Sequence, residues 1–61
     1  MTIEEIRKGA PALATCFYIK DSHPHYCVIN RGRIYLIQSM SGYMRQYLGF
    51  AKSFEYEIKP L

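Results

Sequence analysis

The sequence predicts an α+β fold: a small antiparallel β-meander with a fourth strand, a short N-terminal helix and one helix between strands three and four. Three observations lead there. Turn-forming clusters at residues 21–24 and 30–32 divide a stretch rich in β-branched and aromatic residues into three segments of strand character. After Gln38 the apolar spacing changes from two to three and four, the period of a helix face. The chain has 61 residues, which suffices for a single small domain over 1–61 and nothing larger.

The N-terminal helix is announced by Thr2 as cap and Glu5 three positions on, the spacing of a capping box. Ile3 and Ile6 share its face, Arg7 and Lys8 sit at the favourable end of its dipole, and Gly9 and Pro11 end it. So short a helix needs docking to persist.

Strand one is expected over residues 12–20, strand two over 25–30 and strand three over 33–38, with Gly32 supplying positive φ at the second reversal. Met40, Tyr43, Met44, Tyr47 and Leu48 then define the apolar face of the expected second helix. Ser39 or Ser41 caps it and Gly49 ends it. Strand four is expected over residues 53–59, where Phe54, Tyr56 and Ile58 alternate with Glu55, Glu57 and Lys59.

Pairing Lys20 with His25 and Asn30 with Arg33 places Ala14, Cys16, Tyr18, Cys27, Ile29, Ile34 and Leu36 on one face. Leu13, Phe17, Ile19, Tyr26, Val28, Tyr35 and Ile37 fall on the other. Both faces are apolar, so the sheet requires cover on both sides. Two short helices do not cover both, and a homodimer is the simplest source of the missing surface. Phe17, Tyr26 and Tyr35 are its expected anchors.

Size and composition favour binding over catalysis. A pocket of about 300 Å³ with several oriented groups is hard to build from one sheet and two helices. The opening Met1-Thr2-Ile3-Glu4-Glu5 is not a positively charged leader, and no apolar run of about 18 residues occurs. An intracellular, cytoplasmic protein without membrane contact is expected, and its two cysteines are expected to be reduced.

Cys16, His23, His25 and Cys27 cluster around the first hairpin with residue types suited to zinc, but their spacing is unlike a finger and their reach is poor, so no metal or cofactor is expected. A Cys27–His25 nucleophile lacks any oxyanion donor set or substrate groove in the sequence, and Glu55 and Glu57 have the pattern of solvated charges. The expected function is therefore a non-catalytic protein-interaction module, adaptor or inhibitor-like, partnered by itself or another protein.

The alternative is a small binder of single-stranded nucleic acid. Net charge is +3, and residues 31–52 carry Arg31, Arg33, Arg45 and Lys52 without a single acid. Arg31 and Arg33 at a turn suit phosphates, and Tyr26 and Tyr35 on the sheet suit bases. Tyr43 and Tyr47 are expected to be core, as part of the second helix.

Overall fold

The computed structural model describes residues 2–61 and shows a small antiparallel five-stranded sheet with one short helix. Helix α1 spans Ile3–Lys8, followed by β1 (Cys16–Lys20), β2 (His23–Asn30), β3 (Arg33–Ile37), β4 (Arg45–Phe50), a 3-10 turn (Ala51–Ser53) and β5 (Lys59–Pro60). The spatial order is β4-β3-β2-β1-β5, so the last strand returns to the free edge of the first. Helix α1 forms as its cap residues require: the Thr2 hydroxyl accepts from the Glu5 amide at 3.2 Å. The Glu5 carboxylate in turn accepts from that hydroxyl at 3.2 Å.

Both first reversals are two-residue turns with positive φ throughout, at Asp21 and Ser22 (52° and 64°) and at Arg31 and Gly32 (53° and 76°). That backbone matches the twist of adjoining strands. The second register is as expected, with Asn30 opposite Arg33. The first is shifted by two residues, because the tight turn pairs Lys20 with His23 rather than His25. Pro24 is tolerated within β2 because no residue of β3 pairs with it. A shift of two preserves which residues share a face.

The largest departures from expectation follow Gln38. Residues 40–48 are not a helix: residues 38–44 make a turn and Arg45–Phe50 pairs with β3. The unpaired edge of β3 takes up the backbone groups of this segment, while the Gln38 amide donates to the Met44 carbonyl at 2.7 Å and the Ser39 hydroxyl accepts from the Met44 amide at 3.2 Å. Residues 53–59 are not a full strand either, since only Lys59–Pro60 joins the sheet. Their alternation still predicts burial: Phe54, Tyr56 and Ile58 pack on the cluster of Cys16, Tyr18, Cys27 and Ile34. Strand one is also shorter than expected, because Leu13 has φ of 71° and leaves extended backbone.

The two sheet faces are thus covered by different devices. Residues 54–58 cross one face, where Tyr18 stacks on Tyr56 at 5.3 Å and meets Phe54 edge-on at 4.9 Å. Against the other lies α1, whose Ile6 is buried along with Phe17 and Ile37. The Tyr26 hydroxyl donates to the Ile6 carbonyl at 2.6 Å and pins the helix there. This second cover reaches only part of its face.

Candidate functional site

The uncovered part is built by β3 and β4. Arg33, Tyr35 and Ile37 alternate toward one side, and their cross-strand partners are Phe50, Tyr47 and Arg45. A bulge between Ile34 and Tyr35 in this register makes Tyr47 and Phe50, three residues apart, face the same way. Gly49, with φ of 108°, supplies the backbone for it.

The resulting surface is a row of aromatic rings edged by cations. Tyr35 and Tyr47 lie 5.5 Å apart at 46°, and the Arg33 guanidinium stands 5.8 Å from the centre of the Phe50 ring. Tyr47 is 52% exposed and Phe50 58%, values that leave ring faces available to a partner. Arg33, Tyr35 and Tyr47 line a shallow recess of about 410 Å³. Arg45 donates from Nε to the Gly42 carbonyl at 2.9 Å, which orients its guanidinium at the end of the row.

Among the described residues none of these cations has an acidic side-chain partner. The one ion pair among the described residues joins Lys59 to Glu57 at 3.8 Å, within the closing segment. Arg31, exposed at the turn tip, adds a further charge beside Arg33.

The expected contact residues separate. Tyr35 belongs to the open face, but Phe17 is only 2% exposed and is core beneath α1. Tyr26 is half-buried and its hydroxyl is engaged by Ile6. Phe17 presents no surface to a base or a second protein while α1 is docked, whereas Tyr26 keeps a partly exposed ring at a recess of about 230 Å³ beside Pro11, Ile37 and Met40. Tyr43 and Tyr47, expected in the core of a helix, are instead exposed. Phe50 was not legible as a contact residue, since its role depends on strand pairing that the three-and-four spacing conceals.

No known protein family matches the chain. No curated protein and no solved structure matches it either.

The hairpin cysteines and histidines do not converge. Cys16 and Cys27 face each other directly, while His25 is stacked on Tyr18 at 5.2 Å. Among the described residues no group of three or more His, Cys, Asp or Glu side chains is placed to hold a metal ion. No helix among them is long and apolar enough to cross a membrane.

Proposed function

We propose that the chain is a non-catalytic module that binds single-stranded nucleic acid across the β3–β4 face. The observation that carries this is the pairing of Arg33 with Phe50 and Tyr35 with Tyr47 on one exposed surface, inside a stretch holding four cations and no acid. Bases stack on Tyr47 and Phe50, whose rings accept any base, and Arg31, Arg33 and Arg45 neutralise phosphates. Tyr47 and Phe50 stand opposite Tyr35 and Arg33, alternate β3 positions about 7 Å apart along the strand, which gives each of two bases its own platform. Binding of this kind tolerates sequence and weakens with salt.

Titration of the full chain with labelled, protein-free single-stranded DNA and RNA at low salt tests it. Saturable binding is expected, with Tyr47→Ala costing about 1–3 kcal/mol at an unchanged salt slope. Arg33→Gln should flatten the slope of log affinity against log salt by about 0.7. No saturable binding to either nucleic acid overturns the proposal.

A protein-interaction function, as adaptor or inhibitor-like module and as homodimer, is favoured by a different region. Ile3, Ile6, Phe17, Ile19, Ser22 and Lys59 line an open recess of about 540 Å³ between α1 and the sheet. An apolar side chain fits such a recess, but nothing there has the charge signature of the β3–β4 face.

A further inference from the structure

We propose that Cys16 and Cys27 form a redox pair, closed to an intramolecular disulfide by a hydroperoxide and reopened by a small dithiol. The two residues are direct cross-strand partners in β1 and β2, both are free thiols, and their Sγ atoms are 3.0 Å apart. Directly opposed residues of an antiparallel ladder have Cα atoms about 4.5–5.5 Å apart. A disulfide needs about 4.4–6.8 Å. The sheet therefore presents the pair at bonding geometry, and side-chain rotation alone brings the sulfurs to contact.

The surroundings divide the two thiols into attacker and resolver. The Cys16 thiol is brought down to about 7 by its hydrogen bond with Cys27, helped by the Thr15 hydroxyl and opposed by burial. The same hydrogen bond and burial push the Cys27 thiol up. The pair is thus polarised, with thiolate character favoured on Cys16 and the proton retained on Cys27.

Access also favours Cys16. Both thiols lie beneath Phe54, Tyr56 and Ile58, with Cys27 fully buried and Cys16 5% exposed, and the segment that covers them is tied to β1 only by β5, which pairs with Cys16 and Phe17. That two-residue pairing is the shortest in the sheet, so local opening of the closing segment is the route by which a hydroperoxide reaches Cys16 in this proposal.

The chemistry balances in two steps. The Cys16 thiolate attacks the terminal oxygen of the hydroperoxide, the O–O bond breaks, and the departing oxygen takes a proton to leave as alcohol or water, giving a sulfenic acid. Cys27 sulfur then attacks Cys16 sulfur, the S–O bond breaks, and the hydroxyl leaves as water with the Cys27 proton. The two sulfurs lose two electrons in all, and the hydroperoxide gains them. A dithiol reverses the change by exchange, becoming a cyclic disulfide itself.

Native full-length protein is treated with equimolar hydrogen peroxide, quenched with an alkylating agent and weighed intact by mass spectrometry. The expected product is a monomer lighter by two hydrogens that takes up no alkyl group, returns to two alkylatable thiols with dithiothreitol, and unfolds at higher urea than the reduced form. Its rate of formation should rise through about pH 7, the value for Cys16. Cys27→Ala, which keeps the small apolar volume, should stop at a Cys16 sulfenic acid captured by dimedone. Three results overturn the proposal: thiols that stay reduced when folded but oxidise in urea, disulfide-linked dimers as the main product, or sulfinic acid without disulfide. No nucleic acid enters the assay, so its outcome is independent of the β3–β4 face.

Discussion

At Cys16 the local field favours the charged sulfur, and this makes stability depend on pH. Its folded value of about 7 lies below the ordinary 9.0. Between those two values the unfolded chain holds more protons than the folded one, so stability rises with pH. The contribution is complete above 9.0 and is lost as pH falls through about 7. Cys27 acts in the opposite sense, because its raised value makes folding less favourable once pH passes the ordinary 9.0. Reduced protein should therefore gain stability as pH rises from about 7 toward 9.0. Urea unfolding under reductant at a series of pH values checks this, with Cys16→Ala expected to lose the rise. Residue types were enough to read Cys16, Tyr18, Cys27 and Ile34 as sharing an apolar face, since period-two alternation survives a shift of two residues in register. They were not enough to separate Phe17 and Tyr26 from Tyr35, because all three share the other face and only the position of α1 divides them.

Among the elements, the segment between β3 and β4 departs furthest from its sequence pattern. Met40, Tyr43, Met44, Tyr47 and Leu48 have helical spacing, yet the structure sends Tyr47 to the open face and Leu48 to the opposite core. Gly42 decides the matter locally. Its φ is 82°, and it is buried against the chain leading into β1, where an added Cβ would collide with the Ala12 carbonyl oxygen. Helix would carry the segment away from that contact and leave the β3 edge unpaired. Gly42→Ala should therefore destabilise the protein by at least about 2 kcal/mol, measured by urea denaturation, although alanine favours helix. A gain in stability would mean that the segment retains helical character. In the closing segment the sequence reveals burial but not pairing: Phe54, Tyr56 and Ile58 alternate as a strand does, yet they cross the sheet as cover instead of extending it. Hydrophobic periodicity reports which side chains leave water, and not where backbone groups find partners.

For the molecule as a whole, the division of covers separates charge as well as apolar surface. Glu55 and Glu57 belong to the segment packed on the Cys16–Tyr18 face, and Arg33, Tyr35 and Tyr47 line a recess on the reverse side of the sheet. Neutralising both carboxylates to Gln should then leave the salt slope of oligonucleotide binding within error of the original. Neutralising Arg33 and Arg45 together should lower the slope by about 1.4. Equal effects of the two pairs would place the bound strand elsewhere. The need for cover on both faces was legible from composition and alternation alone. That both covers come from this chain was not, because the closing segment reads as another strand of the same layer.

The bulge that turns Tyr47 and Phe50 to one side has a second effect, on what the outermost strand can recruit. β4 has a partner on one side only, and a straight, apolar strand in that position is a template onto which other chains polymerise. Here the register slips by one residue at Ile34/Tyr35, Gly49 bends the backbone, and Arg45 begins the strand with a charge. An incoming extended chain finds its hydrogen bonds out of step after a few residues. The irregularity that assembles the aromatic row thus also makes the edge a poorer template for strand addition, so straightening it should lower resistance to aggregation as well as misalign Tyr47 and Phe50.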